Sequence, residues 1–128
     1  MARAIARIGR DHYCTQIELG SGHALVADEP SYLGGEGMGA SPYELLIAGL
    51  GACTAITLRM YADLKRWPLE SVRVDLHLSR EDNVTVIQRS LRIHGLDDAQ
   101  RARLADIAER TPVTLTLKSG IPIRTQLL

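Results

Sequence analysis

Hydrophobic and polar positions along this chain form three kinds of pattern. The first is a stretch with almost no polar face, Leu45-Leu46-Ile47-Ala48-Gly49-Leu50-Gly51-Ala52-Cys53-Thr54-Ala55-Ile56-Thr57-Leu58. It is preceded by Ser41-Pro42, a side-chain cap followed by a proline whose missing N–H costs nothing at the first helical position. This predicts a helix from near Pro42 until Trp67-Pro68 forces an exit, about 36 Å long at ~1.5 Å per residue. Its polar residues, Arg59, Asp63, Lys65 and Arg66, fall in the last third. The first two-thirds must therefore be surrounded by protein, more than one small protomer supplies. The uninterrupted run ends at Arg59, short of the ~20 residues of a bilayer span, so it is expected to be a core helix.

The second pattern is strict alternation. Ser71-Val72-Arg73-Val74-Asp75-Leu76-His77-Leu78-Ser79 places Val and Leu on one face and polar residues on the other, as in a half-buried antiparallel strand. Val84 to His94 is expected to pair with it across the polar turn Arg80-Glu81-Asp82-Asn83. Earlier, Ala4 to Ile8, Tyr13 to Leu19 and His23 to Ala27 read as strands separated by Gly9-Arg10-Asp11-His12 and Gly20-Ser21-Gly22. Tyr13, Thr15, Ile17 and Leu19 share one face, leaving Cys14, Gln16 and Glu18 on the more polar one. Asp28-Glu29-Pro30 and the glycine-rich Gly34 to Gly39 are expected to form an irregular, flexible loop. Ile121, Ile123, Thr125 and Leu127 alternate as a last strand.

The third pattern is a shorter helical one. Asp97 and Gln100 offer a capping box to a second helix, with Leu104, Ile107 and Ala108 at helical spacing until Thr111-Pro112. A chain of 128 residues describes one domain, residues 1–128.

Fifteen basic and fifteen acidic residues cancel, which removes the bulk attraction that nucleic acid or an anionic membrane would require. Met1 to Arg7 lacks a secretory apolar segment, so a cytoplasmic location is expected. Two cysteines in a reducing compartment are expected to be free thiols. His12, His23, His77 and His94 lack metal-ligand spacing, and Gly35-Glu36-Gly37-Met38-Gly39 lacks the ending of a phosphate loop. No metal or cofactor is expected.

These residues, taken together, carry a resemblance. Gly39-Ala40-Ser41-Pro42-Tyr43-Glu44-Leu45-Leu46 followed by Leu50-Gly51-Ala52-Cys53-Thr54 resembles the central helix of the OsmC/Ohr family of osmotically inducible and organic-hydroperoxide-resistance proteins. The likeness extends through Asp28-Glu29-Pro30, the glycine loop, the strand after Trp67-Pro68 and Thr111-Pro112-Val113. It implies an α+β domain in which two central helices are wrapped by antiparallel sheets, assembled as an interlocked homodimer. It further implies reduction of organic hydroperoxides by a peroxidatic cysteine matching Cys53, with Arg10 as the supporting arginine and Arg7 a weaker match. The family's resolving cysteine precedes Pro-Val, where this chain has Thr111. The acid of the Ohr branch falls at Tyr43, and the neighbouring Glu44 lies on the opposite side of the helix from Cys53.

Peroxide attack needs a thiolate, and apolar burial disfavours one. Cys53 also lies too deep in its helix to use that helix's own dipole, so a guanidinium such as Arg10 is expected nearby. Oxidised Cys53 would be resolved by an external thiol, a reductant protein or Cys14. Two other readings keep the fold: a dimer binding an apolar small molecule without turnover, and a redox sensor.

Overall fold

The computed structural model describes all 128 residues, and they form two compact units, residues 1–46 and 47–128. The first holds an antiparallel sheet of β1 (Ala4–Arg7), β2 (Thr15–Leu19) and β3 (Ala24–Ala27) in the order β1-β2-β3. Thr15, Ile17 and Leu19 are half-buried while Gln16 and Glu18 are exposed, as the alternation requires.

The loop after β3 is more ordered than its glycines suggest. Asp28 is buried, and its carboxylate accepts backbone N–H groups from Tyr13 at 3.0 Å, Glu29 at 2.7 Å and Met38 at 3.1 Å. One turn of 3₁₀ helix, Ser31–Leu33, sits inside the loop. The chain returns to the sheet through a parallel bridge between Ala27 and Ala40, where a Cβ on Gly39 would lie 2.1 Å from the Val26 carbonyl oxygen. Only glycine fits that approach.

Helix α1 (Pro42–Leu64) starts in the first unit and continues into the second. Its start is a reciprocal capping box: Ser41 N–H donates to Glu44 Oε1 and Glu44 N–H to Ser41 Oγ. Its end precedes the expected Trp67-Pro68 exit. Arg66 adopts a left-handed conformation (φ 56°), with Arg66 N–H bonded to the Asp63 carbonyl and Trp67 N–H to that of Ala62. This is a Schellman closure without glycine. At 23 residues the helix is long and apolar enough to cross a membrane by length and composition.

In the second unit β4 (Ser71–Glu81) and β5 (Val84–His94) form a hairpin. The turn is only Asp82-Asn83, both at positive φ, so β4 runs on through Arg80 and Glu81, while β5 has the expected bounds. Helix α2 (Asp98–Ala108) begins with the expected capping box between Asp97 and Gln100. Leu58 and Ala62 of α1, Leu69, and Leu104 and Ala108 of α2 form the buried core, flanked by Trp67, Val72, Leu91 and Ile93.

Two expectations fail here. Thr111-Pro112 does not simply end the second helix: α2 stops at Ala108, and a third helix, α3 (Pro112–Ser119), begins with Thr111 as its cap residue and Pro112 at its first position. The anticipated strand over Ile121 to Leu127 is absent. Residues 120–128 are irregular and exposed: the alternation is present, but these residues pair with no strand edge.

Nor is α1 surrounded within one protomer. Leu50, Thr54, Leu58 and Ala62 form its only buried stripe, while Ile56, Met60 and Leu64 are exposed at 54%, 66% and 80%.

Candidate functional site

Cys53 sits next to the buried stripe of α1, half-buried and unoxidised. The sheet approaches α1 closely here, since a Cβ on Gly51 would lie 2.6 Å from Leu76 Cδ1. One backbone donor and one hydroxyl face the sulfur. The backbone N–H of Val113 donates to Sγ at 3.5 Å, and Thr57 Oγ1 lies 4.0 Å away. Val113 is the second residue of α3, whose cap residue Thr111 makes no side-chain bond to the helix backbone. The cysteine sulfur thus takes the place of a cap. Backbone N–H groups at a helix start carry partial positive charge, and here one of them is aimed at the sulfur. The dipole missing from the cysteine's own helix comes from another.

A network of hydroxyls and one guanidinium holds α3 in that place. Arg89 on β5 has a side chain only 12% exposed. Its Nη1 donates to Thr54 Oγ1 at 3.0 Å and Thr114 Oγ1 at 2.8 Å, and its Nη2 to the Ala108 carbonyl at 2.9 Å. Thr111 and Thr114 hydroxyls are 2.6 Å apart and both buried. Thr54 also donates back to the Leu50 carbonyl at 2.7 Å. Arg89 therefore connects the residue after Cys53 to the residue after Val113. No buried side-chain polar atom is left without a partner.

Beside this network a cleft of about 390 Å³ is lined by Leu50, Ile87, Arg89, Glu109, Leu117 and Lys118, with Thr114 at its wall. Glu109 bonds Lys118 at 2.8 Å and approaches Arg89 at 3.9 Å. The Lys118 hydrogen bond is the main reason its carboxyl is held below the usual glutamate range. No group of three His, Cys, Asp or Glu side chains is arranged to hold a metal ion.

Of the residues singled out from sequence, Cys53 and Thr111 belong to the second unit. Arg10, Arg7, Cys14, Tyr43 and Glu44 belong to the first. Arg10 is exposed between β1 and β2 and makes no ion pair, whereas Arg7 is bound to Glu18 at 3.0 Å. Glu44 is committed to capping α1, and the Ser41 N–H bond is the main cause that lowers its carboxyl below the usual range. Arg89, Thr54, Thr114 and the Val113 N–H were not anticipated. Thr111-Pro112 read as the start of a helix would have pointed to the last of these.

The family model described as OsmC-like protein matches residues 35–126, which include Cys53, Arg89 and all of α3. The chain belongs to the OsmC-like family. Its fold is the OsmC-like α+β fold, with three helices and two antiparallel sheets. The chain is similar to an organic hydroperoxide resistance protein OsmC of Legionella pneumophila, with 26% identity and a TM-score of 0.69, over 92% of this chain and 89% of that one. An OsmC-like protein of Mycoplasma pneumoniae shares 16% identity with a TM-score of 0.72, over 92% and 87%. An organic hydroperoxide resistance protein of Elizabethkingia anophelis, solved with thiocyanate bound, shares 21% identity with a TM-score of 0.64, over 85% and 81%. No curated protein matches the chain in sequence. OsmC-like membership supports a family-level role in redox and stress chemistry.

Proposed function

We propose that this OsmC-like protein is a thiol-dependent peroxidase that reduces organic hydroperoxides through Cys53. The observation that carries this reading is the Cys53 sulfur seated at the start of α3, 3.5 Å from the Val113 N–H. In the reaction the Cys53 thiolate attacks the distal peroxide oxygen. An S–O bond forms, the O–O bond breaks, and the alkoxide takes up a proton and leaves as the alcohol. The resulting sulfenic acid condenses with one external thiol, releasing water and forming a mixed disulfide. A second external thiol then attacks the disulfide, regenerating Cys53 and leaving the oxidised reductant. The balance is one hydroperoxide and two thiols to one alcohol, one water and one disulfide.

An external reductant is assigned because Thr111 occupies the position at which the family carries its resolving cysteine. Arg10, unpaired and exposed, is assigned to the thiolate or the departing alkoxide. The working form is a cytoplasmic homodimer, supported by the exposed apolar face of α1 and by exposed Ile121, Ile123 and Leu127. Cumene hydroperoxide consumption with dithiothreitol tests the assignment. Turnover is expected in the parent, loss in Cys53→Ser and a large decrease in Arg10→Met. Cys53→Ser as active as the parent would overturn it.

The 390 Å³ cleft, where Leu50, Ile87 and Leu117 stand beside Arg89, Glu109 and Lys118, favours a second reading as a small-molecule-binding protein. Its mark is a ligand-dependent rise in melting temperature that persists in Cys53→Ser.

A further inference from the structure

We infer that Arg89 is the positioning residue of the Cys53 thiol: it fixes the start of α3 against α1, so that the Val113 N–H meets the sulfur. This rests on the peroxidase reading only for its consequence in turnover. The placement itself concerns the thiol.

Arg89 makes three hydrogen bonds, and each ends on a different part of the site. Thr54 is the residue after Cys53, Thr114 is the residue after Val113, and the Ala108 carbonyl is the last of α2. One planar guanidinium thus sets the relation of three helices, a task its fixed fork geometry suits better than an ammonium. The network is closed by the 2.6 Å contact between Thr111 and Thr114 and by Thr114 reaching the Ala108 carbonyl at 3.3 Å.

The contact under its control is sensitive to position. At 3.5 Å, the N–H···S bond from Val113 lies within the range of a sulfur acceptor, and a displacement of α3 by about 1 Å would remove most of it. The guanidinium is also nearly buried, with Glu109 as its only carboxylate neighbour, at 3.9 Å and shared with Lys118.

The test is the pH profile of Cys53 alkylation by iodoacetamide, read at the Cys53 peptide by mass spectrometry so that Cys14 does not interfere. The full chain is used without hydroperoxide. In Thr114→Val, which removes one acceptor of Arg89 and keeps the side-chain shape, alkylation at neutral pH is expected to slow several-fold, with the midpoint moved to higher pH. In Arg89→Met, which loses all three bonds that hold α3 and so the placed Val113 N–H, the slowing is expected to reach about tenfold or more, and Arg89→Lys is expected to recover part of it. A residue that merely supports packing would loosen the site when removed. Alkylation would then speed up or keep the parent's midpoint, and that result in a folded Thr114→Val overturns the inference even if Arg89→Met does not fold. The two readings fail separately. A parent that ignores hydroperoxide while Thr114→Val shows the shifted profile removes the peroxidase and keeps the positioning. A parent that turns over while Thr114→Val has the parent's profile does the reverse.

Discussion

The backbone N–H of Val113 donates to the sulfur of Cys53 across 3.5 Å, although the two residues are sixty positions apart in the chain. The contact exists because α2 stops at Ala108 and a new helix starts at Pro112. A proline at the first helical position has no N–H to offer. The first outward-pointing donor of α3 is therefore that of the second residue, and it meets a sulfur in place of a cap oxygen. The thiol that lacks a helix dipole when read along its own helix gains one from the helix that follows the core.

Thr111 lies two residues before that donor, fully buried, with its hydroxyl on Thr114. Thr111→Cys is expected to place a second thiol beside Pro112-Val113, near Cys53. One equivalent of cumene hydroperoxide should then convert the variant to an internal disulfide between Cys53 and the introduced thiol, seen by intact mass and by a mobility shift without reductant, whereas the parent stops at the sulfenic acid. The lost hydroxyl bond is expected to cost about 1 kcal/mol in urea denaturation. A variant whose Cys53 goes only to sulfenic acid would show that position 111 is out of reach of Cys53.

Much of the scaffold was legible because it is written in local chemistry. The alternation in β4, the capping box at Asp97 and Gln100, and Ser41-Pro42 at the start of α1 each specify an element from a few adjacent residues. The site was legible only at Cys53. Arg89 lies on a strand where a polar residue on one face is commonplace, and Thr54, Thr111 and Thr114 resemble ordinary small polar residues. Their meaning comes from packing α1, β5 and α3 together, which no window of sequence contains. The alternation of Ile121 and Ile123 failed for the opposite reason: the local pattern was present, but no strand edge in the chain pairs with it.

Asp28 gives the first unit a defined response to acid. Its carboxyl is lowered below the usual aspartate range chiefly by the Met38 N–H, with further bonds from Tyr13 and Glu29 acting against the cost of its burial. A folded value below the unfolded one contributes stability that is fully present above the unfolded value, near 4, and is lost as pH falls through the lower folded value. Denaturant midpoints of the parent are therefore expected to fall as pH drops from about 5 toward 2. In Asp28→Asn the midpoint is expected to be lower at pH 7 and the acid limb flatter. Parallel acid limbs in the two proteins would show that other carboxylates set the slope.

Glu44 is the acid nearest in sequence to the position where the Ohr branch carries one, yet its carboxylate is spent on the Ser41 N–H. Glu44→Gln preserves a capping box and is expected to leave both melting temperature and hydroperoxide turnover close to the parent's. Ser41→Ala removes the other half of the box and is expected to cost about 1 kcal/mol of stability, again without loss of turnover. A steep fall in turnover for Glu44→Gln, with stability unchanged, would place this carboxylate in the chemistry instead.

The exposed face of α1 carries the prediction about assembly. Ile56 and Met60 lie four residues apart, hence on one side of the helix, and each has more than half its surface exposed. Leaving such side chains in water is costly, and a second copy presenting the same face would cover both. Sedimentation of the parent is expected to show a dimer. Met60→Glu places a charge where the two faces meet, and Ile56→Glu does so one turn earlier. Either is expected to weaken association by about a hundredfold or more, the scale of losing one or two central interface anchors. A parent that sediments as a monomer at micromolar concentration would leave this face to a different partner. A Met60→Glu variant that remains a tight dimer would place the contact elsewhere on the surface.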